Sequence, residues 1–187
     1  MIYYNETMKN QLQNHLLQSI EKASLNTILK DMFISRVREG KLSRDENSTS
    51  HMCVFFAAYD PMLKLVFIGR HIKSGLWLFN GGHMDKGEYP EETLYREMNE
   101  EWGLQKKVFT SSPSLFTITK IENPKKQICR LHYDMWYFIP FDKNVFFPNE
   151  QLLSREFHEW GWKTIYEAKS LIKAEASLEG LQFIESL

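Results

Sequence analysis

Apolar positions divide the chain into a helical opening and a strand-rich body. Over residues 24–38, Leu25, Ile28, Leu29, Met32, Phe33 and Val37 recur at three- and four-residue steps, the period of one helix face. Ser24 is the expected N-cap and Gly40 the expected stop. A weaker pattern of Met8, Leu12, Leu16 and Ile20 predicts a preceding helix. Both stripes need burial, against the main body of the protein or against a second copy of it. Residues 41–50 (KLSRDENSTS) are polar, and the boundary is expected there, between a helical extension at 1–48 and a main domain at 49–187.

Beyond that boundary the period changes. Residues 52–59 form a continuous apolar run, as in a strand covered on both faces. Asp60-Pro61 reads as a turn into a second strand at 63–68, which predicts a hairpin. A short third strand at 76–79 runs into Gly81-Gly82, and a helix follows. Strand patterns dominate 108–141, broken around Asn123-Pro124. A short strand near 160–162 precedes helical patterns from Ile165 onward. Strands and helices in this order predict a mixed sheet with helices outside it, an α+β or α/β sandwich.

Composition narrows the class. The 187 residues carry 43% hydrophobic and 25% charged side chains with a formal net charge of -1, which describes an ordinary globular protein. A chain that binds nucleic acid through counterion release carries a large positive excess, so no nucleic-acid partner is expected. The longest apolar run is too short to span a bilayer, and no basic-then-apolar segment opens the chain. No membrane association is therefore expected. Cys53 and Cys129 lie in apolar runs and read as buried free thiols in a reducing, cytoplasmic setting.

The chemistry concentrates in residues 81–104, GGHMDKGEYPEETLYREMNEEWGL. Pro90 suits a first helical turn, Glu91 and Glu92 favour the positive end of the helix dipole, and Gly103 suits the stop. At about 100° per residue, Leu94, Tyr95, Met98 and Trp102 share one arc, which predicts the buried face. Glu97, Glu100 and Glu101 share the neighbouring arc, with Arg96 just outside it. Carboxylates spaced this way repel by a few tenths of a kcal/mol per pair. A solvated acidic face is one reading. The other is a site for a hard cation such as Mg²⁺, which takes carboxylate oxygens and keeps several waters. Gly81 and Gly82 would let backbone carbonyls approach the same ion.

The spacing separates these readings. Gly82, Glu88, Arg96, Glu97, Met98, Glu100, Glu101, Gly103 and Leu104 meet the pattern G-x5-E-x7-R-E-U-x-E-E-x-G-U, with U a bulky apolar residue. Chance produces such a match roughly once per billion starting positions. The segment resembles the Nudix box, and the strand order extends the resemblance to most of residues 49–165. The resemblance implies a Nudix fold, an α/β/α sandwich. It also implies Mg²⁺- or Mn²⁺-dependent hydrolysis of a nucleoside diphosphate linked to another moiety. By motif position Glu97 and Glu101 would be the principal metal ligands, and Glu100 a further ligand or the group that orients the attacking water. Gly81 would add a carbonyl ligand, Arg96 would hold the glutamates, and Glu88 would brace the loop. Asn80 stands where the family often has proline, which bears on loop rigidity.

Weaker constellations surround the box. From 128 to 138, Cys129, Leu131, Tyr133, Met135 and Tyr137 alternate with Arg130, His132, Asp134 and Trp136. The first set suits a core. The second is either a half-solvated strand face or a surface that meets phosphate and stacks on a base. Arg70, His71 and Lys73 could contact substrate phosphates or simply decorate a turn, and His83 could border the site. The general base in Nudix enzymes varies in position, which makes Glu156 and Glu159 candidates. Trp160 and Trp162 read as core. The N-terminal helices read as a dimerising arm, giving a homodimer, or as a lid over the pocket. A non-hydrolytic nucleotide- or metabolite-binding module on the same fold is the alternative function. An isoprenoid diphosphate isomerase fits less well, because Cys53 and Cys129 do not match the positions that reaction needs.

Overall fold

The computed structural model describes residues 2–104, 112–121 and 128–187, with side chains from residue 8 onward. Two helices open the chain, α1 (Ile2–Lys22) and α2 (Thr27–Glu39). The second starts later than the periodicity predicts. Asn26, not Ser24, is the N-cap, its side-chain oxygen accepting from the Leu29 N–H at 2.9 Å. This satisfies a backbone donor that the helix itself leaves free. Gly40, at φ 68°, ends it as expected. Leu12, Leu16, Ile20, Phe33 and Val37 join the same buried cluster as the central strand. The stripe is therefore covered by the chain's own sheet rather than by a second copy, while Met8, Ile28 and Met32 stay exposed.

The central strand is β1 (Ser50–Asp60), followed by β2 (Leu65–His71), β3 (Trp77–Leu78) and β4 (Asn80–His83). β5 (Leu115–Lys120), β6 (Leu131–Pro140) and β7 (Phe157–Thr164) complete a mixed sheet. The expected hairpin forms at Tyr59↔Val66. Asp60 holds its turn by accepting from the Met62 and Leu63 N–H groups. β1 and β2 then splay apart. β4 takes the vacated side of β1, with Phe55 opposite Gly81, β3 takes that of β2, and β7 pairs along the other edge of β2. The paired glycines are thus strand residues and not a free loop. On its other side β1 runs parallel to β6, from Ser50↔Leu131 to Tyr59↔Pro140. Of the expected strand-rich stretch, Val108 and the break at Asn123-Pro124 lie outside the described residues.

Alternation along β1 feeds two cores. Met52, Val54, Phe56 and Ala58 face a layer shared with Leu94, Met98, Trp102 and the N-terminal helices. Phe55 and Ala57 face the other layer, which holds Phe79, Trp136, Leu181 and Ile184. The latter is capped by α5 (Ile165–Leu171) and α6 (Glu175–Glu185). Between β6 and β7 runs a short helix, α4 (Glu150–Glu156). The architecture is the expected α+β sandwich, with a central strand buried on both faces.

Candidate active site

The glycine strand and the acidic helix meet face to face. The helix is α3 (Pro90–Glu97), and Glu92 N–H and Glu92 carboxylate both bond back to Tyr89 to start it. It does not continue as one regular helix to Trp102. Residues Met98–Trp102 widen into a π turn, and the Gly103 N–H reaches both the Asn99 and the Met98 carbonyls at φ 71°. Such single wide turns accommodate an extra residue. The three box glutamates consequently do not share one surface. Glu97 and Glu101 are 9% and 5% exposed, whereas the Glu100 side chain is 56% exposed. Tyr95, expected on the buried face, is half-buried.

Glu97 occupies the space in front of Gly82. A Cβ added at Gly82 would fall inside the Glu97 carboxylate, so any side chain there evicts it. Arg96 ties the arrangement together. Its Nε and Nη2 donate to the two Glu88 oxygens at 2.8 and 3.0 Å, its Nη1 to Glu97 Oε1 at 2.7 Å, and its Nη2 also to the His83 carbonyl at 2.8 Å. A planar guanidinium is suited to this because its donors form a fixed fork. Glu88 in turn accepts from the Asp85 N–H and the Thr93 hydroxyl. Burial alone would raise the Glu88 pKa, but Arg96 and these donors outweigh it and hold the carboxyl below its ordinary value.

Glu101 is differently placed. Its carboxylate accepts from the Asn80 side-chain amide, which is itself buried, and it forms no ion pair among the described residues. Burial pushes its pKa well up, against the Asn80 bond, and burial also raises that of Glu97 despite Arg96. The Asn80 Oδ1 beside it is buried without a partner. Two buried carboxylates, one compensating guanidinium and an orphaned amide oxygen are a donor set that suits a hard divalent cation. Asn80 stands where the family often has proline. Its side chain follows from strand alternation, since Asn80 and Gly82 face the same side of β4.

The sequence profile of the NUDIX domain matches residues 49–182. The chain belongs to the Nudix family. An RNA pyrophosphohydrolase from Vibrio atlanticus (strain LGP32) is 33% identical over 105 residues, covering 52% of this chain and 61% of that protein. The chain thus spans less than two thirds of the length of that relative. A hydrolase of the NUDIX family from Clostridium perfringens has a TM-score of 0.54 at 19% identity, covering 72% of this chain and 96% of the other. The E. coli dihydroneopterin triphosphate pyrophosphohydrolase has a TM-score of 0.53 at 14% identity, covering 73% and 96%. At these identities the two structures speak for the fold alone.

Around the Nudix box the remaining candidates scatter. Glu156 ends α4 within electrostatic range of Glu101 and pairs with Lys73 at 3.3 Å and His71 at 3.6 Å. Glu159 and Arg70 are exposed partners across β2 and β7. Arg130 is exposed beside the start of β6. Trp160 and Trp162 are partly buried against the core, as read. No helix of the described residues is long and apolar enough to cross a membrane.

The strand face of His132, Asp134 and Trp136 is neither half-solvated nor open to a base. Trp136 is fully buried, ring-stacked with Phe55 at 4.6 Å, and its Nε1 donates to the Thr117 hydroxyl at 2.9 Å. Gly180 of α6 lies over it, where a Cβ would come within 2.8 Å of the ring. The alternation missed this because a helix distant in sequence covers the face. Asp134 is also fully buried; burial raises its pKa to about 7, against the Thr119 and Thr117 hydroxyls that donate to it. Cys129 departs from the core set, because β6 starts only at Leu131 and the Cys129 thiol turns to His51. Both cysteines are buried and unpaired, as expected.

Proposed function

We propose that the chain is a divalent-metal-dependent pyrophosphohydrolase, cleaving the phosphoanhydride bond of a nucleoside diphosphate linked to another moiety by attack of water on phosphorus. The observation that carries this reading is Glu101. A buried carboxylate without a cationic partner among the described residues sits beside the glycine strand of a complete Nudix box. The names of the curated relatives, RNA pyrophosphohydrolases, support the same reaction class. They also bring RNA into the range of substrates, against the expectation from net charge.

In this reading Glu97, Glu101 and the Gly81 carbonyl would hold Mg²⁺ or Mn²⁺, and Glu100, which faces another surface, would serve the water. When bound, such an ion neutralises phosphate charge and lowers the pKa of a coordinated water. Arg96 favours the ionised form of Glu97 against burial and aims it at the glycine strand through its 2.7 Å bond. Glu88 fixes Arg96 through its bidentate contact. Glu100, exposed and with its carboxylate 3.5 Å from Arg96 Nη1, would orient the attacking water and take its proton. Glu156 is the second candidate base, on its proximity to Glu101. Arg70 and Arg130 are exposed cations available to substrate phosphates. The two free thiols accord with a cytoplasmic location.

The test is a panel of nucleoside triphosphates, dinucleotide polyphosphates, nucleotide sugars, ADP-ribose and RNA with a 5′-terminal phosphoanhydride. Each is incubated with Mg²⁺ or Mn²⁺ in ¹⁸O-labelled water. The expected result is cleavage with label on a phosphate product, reduced by orders of magnitude in Glu100→Gln and Glu101→Gln. Saturable binding without turnover across the panel favours the non-hydrolytic binding module.

A further inference from the structure

On the sheet face opposite Glu97, three strands and one turn converge on a set of metal-ligating side chains, none of them at a fixed position of the box. Adjacent strand residues point to opposite faces, so Gly82 meets Glu97 while His83 points away from it. There His83 of β4 meets His51 of β1 and His132 of β6. The ring centroids lie 4.7 Å (His51–His83), 4.9 Å (His51–His132) and 5.0 Å (His83–His132) apart. The Cys129 Sγ completes the group, 3.7 Å from His51 Nε2. One ligand atom from each of the four lies within 4.8 Å of all the others. The Arg130 N–H donates to the Thr49 carbonyl at 2.8 Å and anchors the Cys129 turn over β1.

We propose that His51, His83, Cys129 and His132 form a tetrahedral site for a soft divalent transition metal, of which Zn²⁺ is the best fit. Three imidazoles and a thiolate are a borderline-soft donor set that Mg²⁺ does not favour. With Zn–N and Zn–S bonds of about 2.1 and 2.3 Å, a tetrahedral N–S edge is roughly 3.6 Å, close to the Cys129–His51 separation. The His51 Nδ1 lies 2.9 Å from the Asn47 carbonyl. A carbonyl only accepts, so Nδ1 carries the hydrogen and Nε2 presents its lone pair toward Cys129, the second-sphere arrangement of metal-bound histidines. The His132 Nε2 is buried without a hydrogen-bond partner. Arg44 lies within electrostatic range of all three rings and opposes a dication. Ionisation of Cys129, its proton released to solvent on binding, offsets that charge. His132 is also shared with a second trio, Cys53 and Asp134, which the experiment separates. Because His83 adjoins the paired glycines and its carbonyl accepts from Arg96, an ion here would pin the glycine strand to β1 and β6.

The full chain, stripped with chelator, is titrated with Co²⁺ in excess Mg²⁺. One Co²⁺ per chain is expected, with tetrahedral d–d bands and thiolate charge-transfer absorption, displaced by equimolar Zn²⁺. Cys129→Ser should abolish the charge-transfer band, His132→Asn should weaken Co²⁺ binding at least tenfold, and Cys53→Ser and Glu97→Gln should leave both unchanged. Zn²⁺ should also slow alkylation of Cys129 at least tenfold in the unsubstituted protein, a reading independent of whether any variant folds. Absence of the charge-transfer band, its survival in Cys129→Ser, its loss in Cys53→Ser or Glu97→Gln, or unprotected Cys129 would each overturn the assignment. None of these readouts depends on hydrolysis, so the outcome is separate from that of the substrate panel.

Discussion

The two faces of the glycine strand place buried polar groups in opposite electrostatic regimes. On the helix side, Glu97 and Glu101 are buried carboxylates, and Arg96 pairs with Glu97 but not with Glu101. On the far side, His51, His83, His132 and Cys129 are neutral donors gathered beside a buried Asp134. Burial there drives the His83 and His132 pKa values down to about 3 and about 4, so the rings shed charge instead of retaining it. One face therefore stores uncompensated negative charge, the other lone pairs. A hard cation relieves the first and a soft one matches the second. The lesson is that a single strand can separate two ligand chemistries by the 180° alternation of its side chains.

The contrast breaks most severely at Gly82→Ala. The new methyl would displace the Glu97 carboxylate, with overpacking that costs about 1–3 kcal/mol. Hydrolysis is expected to fall more than about a hundredfold, a loss comparable to removing one group that stabilises transition-state charge. Denaturant unfolding and turnover assays on the same preparation check both. Glu101→Gln is the complementary probe. Activity should fall by about a hundredfold as well, yet the melting temperature in metal-free buffer should rise, because a neutral amide replaces a buried carboxylate that has no cationic partner among the described residues. A melting temperature that falls instead would mean the negative charge on this face is compensated.

The far face is sharpened by pH. Asp134 has a folded pKa of about 7 against an ordinary 3.8, mainly from burial. The folded protein therefore keeps a proton that the unfolded chain releases, and stability is lost as pH rises from about 4 to about 7. Relative to Asp134→Asn, the unsubstituted protein should lose stability across that window and show a constant deficit above it. Denaturant midpoints at half-unit pH steps measure this; parallel curves for the two proteins would refute it. The smallest effect is expected at Gly180→Ala. A Cβ there meets the Trp136 ring at 2.8 Å and should destabilise by about 1 kcal/mol. Activity should be unchanged, since Trp136 is fully buried under α6.

What could be read along the chain was contiguous in it. The box occupies residues 82–104, and Arg96 bonds Glu88 and Glu97 because one helix and one turn bring the three together. The π turn was not legible, since its extra residue shows in the closing bonds of Gly103 and not in the periodicity. Nor was the true N-cap, because Ser24 and Asn26 are both capping residues and only the path into α2 chooses between them. The fate of Trp136 depended on Gly180 of α6, more than forty residues downstream.

Local order determined the elements and the family pattern on the helix that carries the acids, because these rest on spacings of a few residues and on side-chain type. Only tertiary structure decided that Asn80 meets Glu101, that α1 and α2 roof their own sheet, and that residues 51, 83, 129 and 132 converge. Those meetings depend on which strands lie side by side and in what register, above all the parallel pairing that sets His51 against His132. Register is a collective property of the packed sheet, written in no single stretch of the chain.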